Sequence, residues 1–347
     1  MLKVQSEMRR FNVGIILLLC AGTLLTTIFL QLEQESFHTL PQNHIKSLCD
    51  DCKGIIETVV KRHSKTWKKQ EENNQKFRQQ LRSQCNGIDE AIISRANTPL
   101  GSVISGPSVP REYLVKSAAY QLFPDVSPLS NSSYNTCAVV GNGGILQNSS
   151  CGKMIDSSDF VVRCNLPPLF GGWAEHVGVK SDLVTANPTI FEKVYGTKPE
   201  HQRLLLEKVY PFKDAMILIP AFSYQTNLVL RAVQTLKHFK SPTRPVFFNP
   251  KYMDKLKRFW SSRGVAASRL SSGLMMVSMA LEVCKHVHVY GFWPFSKHPF
   301  GQHYLPHHYY DDVPPKAHFH KMPVEFERLL ELHLQGVIQL HLGNCGT

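Results

Sequence analysis

The sequence predicts an α/β domain built on a mostly parallel sheet with helices on both faces, preceded by a transmembrane helix and a stem. Three observations carry this expectation. An uncharged apolar run stands near the N-terminus, between Arg10 and Glu33. Downstream, short apolar segments ending at polar, Pro or Gly positions alternate with helix-length stretches, the texture of a parallel sheet. Cysteines and N-x-S sequons gather on the far side of the run, as they do in chains that enter an oxidising lumen.

The chain has 347 residues, 43% of them hydrophobic and 10% aromatic. This is room for one large domain with appendages and excludes a wholly disordered chain, a collagen, a coiled-coil rod and a multi-span membrane protein. Lys and Arg outnumber Asp and Glu by 39 to 27, a net charge of +12 that calls for anionic partners.

Residues 1–10 carry Lys3, Arg9 and Arg10 and read as a cytosolic tail. Residues 11–32 follow without a charge, and at 1.5 Å per residue about 20 helical residues cross a bilayer core. The flanking cations keep the N-terminus cytosolic and send the rest across the membrane. A cleaved signal peptide would need a small-x-small site after the run, and none precedes Gln31-Leu32-Glu33. Residues 33–97 are polar and charged with sparse apolar positions (Ile55, Ile56, Val59, Val60, Trp67, Phe77) and read as a stem containing one amphipathic helix. Prolines and serines after Thr98 mark the approach to the catalytic domain, residues 98–347.

Within that domain CAVVG, FVVRCN, DLVTAN, AMILIPAF, VFFNP and HVHVYGFW read as strands, and residues 201–210, 226–239 and 251–263 as helices. Ser271-Ser272-Gly273 opens a further helix, LMMVSMALEVCK. Ligands of such sheets sit at the carboxyl ends of the strands, where Asn142, Asn165, Asn187 and Ser271–Gly273 fall.

The turn Gly141-Asn142-Gly143-Gly144 lets backbone N–H groups approach an anion, but a tight turn needs the same glycines, and neither a G-x-G-x-x-G nor a P-loop is present. The serines at 271 and 272 offer hydroxyls to an anion, as any N-cap does. Nine of the sixteen histidines lie between His286 and His333. General acid–base chemistry needs one or two imidazoles that titrate near neutrality, and His307-His308-Tyr309-Tyr310-Asp311, with His318 and His320 behind it, supplies them. No H-E-x-x-H and no D-x-D occurs, so neither a zinc hydrolase nor a carboxylate-held diphosphate is expected, and no metal is assigned. A leaving group handled without metal, such as a monophosphate, is then met by hydroxyls, helix N-termini and imidazoles.

Eight cysteines follow Cys20, at 49, 52, 85, 137, 151, 164, 284 and 345, and spacing alone allows 105 full pairings. Cys49 and Cys52 form a C-x-x-C with no second pair or His partner at zinc-finger spacing, and Cys164 lies in a buried strand as a packed thiol. Cys49, Cys52 and Cys85 are open to bridging locally or between chains. Asn131 and Asn148 head the two sequons; Asn187-Pro188-Thr189 fails because Pro stands in the middle.

Taken together, these segments resemble a known family. CAVVGNGGILQNSSCGKMIDSSDFVVRCNLPP resembles the large sialylmotif of animal sialyltransferases and RLSSGLMMVSMALEVCKHVHVYGFW the small one. HHYYD resembles the third motif, and His320 with Glu325, spaced H-x-x-x-x-E, the very small one. The four occur in order across residues 137–345, and the NGG turn, GFWPF and HHYYD are most similar to the α2,8 branch, which adds sialic acid to sialic acid.

The resemblance implies a Rossmann-like, metal-independent variant of the GT-A fold, with CMP-sialic acid as donor and no cofactor. It implies His320 as general base and His308 facing the donor phosphate. Asn142, Asn165, Ser271, Ser272, Gly273, Trp293 and His307 would bind the donor, although at 307 a relative carries Tyr. It pairs Cys137 with Cys284 and Cys151 with Cys345. It implies a single-pass type II protein of the Golgi membrane, held by residues 11–32, with a lumenal catalytic domain and room for a homodimer. The acceptor is expected to be a sialylated glycolipid or glycoprotein. Only Arg111 and Lys116 are basic within residues 105–136, which suits a mono- or oligosialyl enzyme rather than a polymer-making one. Transfer to galactose or N-acetylgalactosamine, and an inactive lumenal glycan-binding module, are the competing readings. Nucleic acid is excluded by the expected lumenal address.

Overall fold

The computed structural model describes residues 53–346 apart from 65, 86, 197, 302 and 314–319, all within one compact unit. The expected span at 11–32, Cys49, Cys52 and His318 lie outside the described residues. Among the described residues no helix is long and apolar enough to cross a membrane.

A short antiparallel ribbon, β1 (Val103–Ile104) and β2 (Tyr113–Leu114), precedes the main sheet. That sheet has seven strands: β3 (Tyr134–Val140), β4 (Phe160–Arg163), β5 (Leu183–Thr185), β6 (Met216–Ile219), β7 (Arg244–Phe247), β8 (Cys284–Tyr290) and β9 (Gln339–His341). Every pairing is parallel and the spatial order is β7-β6-β5-β4-β3-β8-β9. Residues of β3 from Cys137 onward, and all of β4 and β6, are buried without a break. Successive side chains point to opposite faces, so both faces of the sheet are covered.

The helices divide accordingly. Val161, Val184 and Ile217 share a core with Phe191 of α6 (Pro188–Val194), Leu205 and Val209 of α7 (Pro199–Val209), and Val229, Val233 and Leu236 of α8 (Thr226–His238). On the other face Val162 and Leu183 meet Met276, Met279, Ala280 and Val283 of α10 (Ser272–Val283). The run LMMVSMALEV is apolar all round because α10 is buried all round. It is flanked by α9 (Pro250–Ser261), whose Trp260 donates its indole N–H to Ser278 Oγ at 2.9 Å. The short helices α3 (Ser117–Tyr120), α4 (Gly152–Asp156) and α5 (Ala174–Val177) occupy connecting loops, and α11 (Met322–Leu334) leads into β9.

The described part of the stretch expected as a stem is packed on the domain instead. Helices α1 (Lys53–His63) and α2 (Glu71–Cys85) bury Ile56, Val59, Phe77, Leu81 and Cys85. The reason lies at the sheet edge: β9 and the turn before it present carbonyls that the N-terminal segment satisfies. Trp67 Nε1 donates to Ile338 O at 2.8 Å, Asn74 Nδ2 to Val337 O at 3.0 Å, and Arg62 pairs with Glu327 at 2.7 Å. Disulfides join Cys137 to Cys284 and Cys151 to Cys345, the pairs the resemblance implies, while Cys85 and Cys164 are buried free thiols.

Candidate active site

The chain leaves β3 toward β4 on one side and returns to β8 on the other, so the crevice between the carboxyl ends of β3 and β8 is the topological switch point. The glycine turn after β3 fills one wall of it. A Cβ on Gly141 or Gly143 would lie 2.7 Å from Gly291 O, and one on Gly144 would lie 2.1 Å from Pro306 O. These glycines are therefore required by close backbone packing. Asn142, standing between them, carries the polar function. Its Nδ2 donates to Cys164 O at 2.8 Å, and its buried Oδ1 has no partner among the described residues. A buried acceptor with no protein partner is open to a donor from a ligand or a water.

Asn165 follows β4 with φ 64°, a conformation Asn tolerates, and its N–H donates to Thr185 Oγ1 at 3.0 Å. Cys164 beside it is sealed off, burial pushing its thiol up to about 12. Arg163 is likewise interior, donating to Lys180 O and Val177 O at 2.9 and 2.7 Å.

The N-terminus of α10 forms the second wall. Ser271 is its N-cap, Oγ accepting from Leu274 N at 3.1 Å. Ser271 also donates its backbone N–H to Glu325 Oε1 at 2.9 Å and its hydroxyl to Glu325 Oε2. Burial raises the Glu325 carboxyl, against the lowering effect of those two bonds and of nearby His320. Ser272 Oγ reaches Asn187 Oδ1, at the end of β5, across 3.5 Å. His320 approaches from the segment before α11 and donates Nδ1–H to Arg269 O at 2.9 Å.

The 307–311 loop closes the third side. Tyr309 N donates to Asn142 O at 2.8 Å, and Tyr309 Oη to Pro168 O at 2.6 Å. His308, bridged to Gly143, donates Nδ1–H to Asp311 Oδ1 at 2.7 Å and stacks on Tyr310 at 5.1 Å. Burial pushes Tyr310 up to about 12. His307 is held by its backbone N–H on Asp312 Oδ1 at 2.8 Å, and burial, then neighbouring His308, lowers its imidazole.

Phe292 joins these walls. A Cβ on Gly273 would lie 2.5 Å from its Cε1, and one on Gly141 would lie 3.1 Å from its Cδ2, so the ring is wedged between the two turns. Trp293 is 7% exposed, stacks edge-on with Phe295 and Phe326, and donates its indole N–H to Lys297 O at 2.8 Å. In this arrangement it braces the β8 loop against α11. The residues singled out from sequence thus fall on one edge of the sheet. Phe292, Glu325 and Asp311 complete the constellation; the last two were visible only as letters of motifs. Asn131 and Asn148 are exposed, each at positive φ in a surface turn. Among the described residues no three His, Cys, Asp or Glu side chains are grouped to hold a metal ion.

A parallel α/β sheet whose switch point gathers an orphan amide, a capped helix N-terminus and two oriented imidazoles belongs with nucleotide-using group-transfer proteins. More particularly, the chain belongs to glycosyltransferase family 29, the sialyltransferases, whose family model matches residues 90–337. It is similar to alpha-2,8-sialyltransferase 8F of Mus musculus, 42% identical over 84% of this chain and 74% of that protein. It is also similar to the alpha-N-acetylneuraminide alpha-2,8-sialyltransferase of Xenopus tropicalis, 38% identical over 84% and 85% of the two chains. A crystal structure of a mammalian sialyltransferase in complex with Gal-beta-1-3GalNAc-ortho-nitrophenol overlays with a TM-score of 0.49, at 18% identity over 73% of this chain and 90% of that one.

Proposed function

We propose that the protein is an α2,8-sialyltransferase, moving sialic acid from CMP-sialic acid to O8 of a terminal sialic acid on a ganglioside or glycoprotein glycan. The reading is supported by the similarity to the 8F and alpha-N-acetylneuraminide enzymes over most of the chain. The observation that carries the chemistry is the bond from His320 to Arg269 O. A carbonyl only accepts, so in the neutral form of the ring the proton sits on Nδ1 and the lone pair on Nε2.

In this mechanism Nε2 of His320 takes the proton of the acceptor O8 hydroxyl. The O8–C2 bond forms on the face opposite CMP while the bond from C2 to the phosphate oxygen breaks, inverting β to α. His308 differs from His320 in its partner. The Asp311 carboxylate behind Nδ1 fixes the orientation of the ring, which suits a group facing the departing phosphate. Asn142, Asn165, Ser271, Ser272 and Gly273 hold the donor from the strand ends and the α10 N-terminus. Trp293 and His307 complete that side. The basic surplus fits a reaction that brings two carboxylated sugars together.

The same reading makes residues 1–10 cytosolic, 11–32 a signal-anchor in the Golgi membrane and the catalytic domain lumenal. The uncharged run, its flanking cations and the two exposed sequons support this. The test is transfer of label from CMP-sialic acid by the full-length chain in EDTA, to a monosialylated ganglioside, a sialylated O-glycoprotein and their desialylated forms. Label on the sialylated acceptors alone is expected. Label on the desialylated ones alone would overturn the acceptor and keep the donor.

A further inference from the structure

A groove of about 450 Å³ lies away from the residues assigned above, between Tyr113 of β2, α3 and helix α8. Its floor is Tyr113, Ala119 and Leu230, with the Tyr113 ring half-buried 5.1 Å from Phe222. Its wall is Asn227, Arg231 and Gln234, which stand at i, i+4 and i+7 of α8 and so share one face. All three are exposed, and the Arg231 guanidinium makes no ion pair or hydrogen bond with any described residue. Arg111 and Lys116, also exposed, flank Tyr113 and α3 in sequence, against Glu112 alone.

The position of the groove relates it to the reaction. Helix α8 begins where the turn after β6 ends, and β6 neighbours β5, whose following Asn187 meets Ser272. The start of α8, and with it Asn227, therefore lies on the carboxyl side of the sheet, the side that carries the candidate site. Its chemistry is a half-buried aromatic face, two carboxamides and an uncommitted guanidinium. A ring face suits the C–H surface of a sugar, carboxamides suit hydroxyls, and a guanidinium forks onto a carboxylate. The volume falls in the range of about 300–1,000 Å³ usual for small-molecule sites.

We propose that this groove is an acceptor subsite for a carboxylated oligosaccharide, in which Arg231 pairs with a sialic acid carboxylate beyond the residue that reacts. This rests on the transfer reaction proposed above. The ligand is the sialylated arm of the acceptor, and neutral sugars are the control.

The test compares full-length wild type with Arg231→Ala, Arg231→Lys and Gln234→Glu. Acceptors are a glycan bearing one sialic acid and one bearing an α2,8-linked trisialyl chain. For Arg231→Ala the KM for the trisialyl acceptor is expected to rise about tenfold, the scale of a charge-assisted hydrogen bond. The kcat, the KM for CMP-sialic acid and the KM for the short acceptor should stay unchanged. Gln234→Glu should raise the same KM by repulsion, and Arg231→Lys should recover part of the loss. A separate equilibrium titration without turnover, by NMR with CMP present, measures binding of the free trisialyl chain against a neutral trisaccharide. Equal affinity for both, or no change in Arg231→Ala, overturns the subsite. Wild type that transfers to no sialylated acceptor, yet binds the trisialyl chain through Arg231, overturns the proposed reaction and keeps the groove.

Discussion

His320 donates Nδ1–H to the backbone carbonyl of Arg269 across 2.9 Å, and that bond decides which nitrogen of the ring is the base. The partner is main chain, so no neighbouring side-chain substitution removes it. Replacing His320 by Ala should lower kcat by about 10²–10⁴, the usual worth of a positioned general base. CMP affinity and thermal stability should hold, since the ring is only partly buried. Equilibrium CMP binding and calorimetry separate the two, and a folded variant with wild-type turnover would remove His320 from the chemistry.

Ser271 and Glu325 form the second relationship. Both donors of the N-cap residue end on one buried carboxylate, so the start of α10 and the start of α11 are tied at a point. Glu325→Gln exchanges one acceptor oxygen for an N–H₂ facing a hydroxyl, and should destabilise the fold by about 1–3 kcal/mol. The pH sign follows from burial, which raises this carboxyl above its ordinary 4.5. The stability it contributes is complete below 4.5 and is lost as pH rises through the higher folded value. Denaturant midpoints of Glu325→Gln should therefore change less with pH above 4.5 than those of wild type.

Phe292 gives a third prediction, because the two glycines it touches differ in what surrounds them. The three atoms nearest a methyl on Gly273 all belong to the Phe292 ring, whereas the nearest to one on Gly141 is Gly291 O at 2.7 Å. Gly141→Ala should cost about 1–3 kcal/mol whatever stands at 292. Gly273→Ala should be rescued by Phe292→Leu. A double-mutant cycle on unfolding midpoints checks this, and rescue of Gly141→Ala by the same change would contradict the packing described here.

Much of this edge was legible in sequence for a physical reason. Buried parallel strands are short apolar runs, and VVRCN and VTAN each stop at the Asn placed at the carboxyl end of the strand, Asn165 and Asn187. The capped α10 was equally plain from Ser-Ser-Gly ahead of an apolar run. Strand β9 was missed because three residues with only Leu340 buried carry no periodicity. Helices α1 and α2 were read as part of a spacer because their buried positions are few; their docking depends on carbonyls of the α11–β9 turn more than 250 residues away. The roles of Glu325 and Phe292 were hidden because each acts through a partner distant in sequence. The glycine turn was read ambiguously since packing against Gly291 and anion binding ask for the same residue.

The last prediction concerns acid, and rests on histidines outside the candidate site. His333 Nδ1 accepts from Leu340 N at 3.1 Å, while its ring stacks on His63 at 4.5 Å. His341 shares a hydrogen bond of 3.2 Å with His288 and stacks on Tyr290. Each arrangement needs a bare ring nitrogen: a proton on His333 Nδ1 would turn that acceptor toward another donor, and protonating both members of the His288–His341 pair would set two donors face to face. Burial accordingly lowers His333 to about 4 and His341 to about 3, from 6.5. A depressed folded value means the unfolded chain takes up protons first. Stability from these groups is present above 6.5 and is lost as pH falls toward 4. The melting temperature of wild type should drop by several degrees between pH 7 and pH 5. His333→Asn, whose Oδ1 can accept from Leu340 without titrating, should flatten that drop. An unchanged slope in this variant would move the acid sensitivity elsewhere. A flattened one locates it where α1, α11 and β9 meet, so that mild acid loosens the docking of the N-terminal helix before it disturbs the sheet.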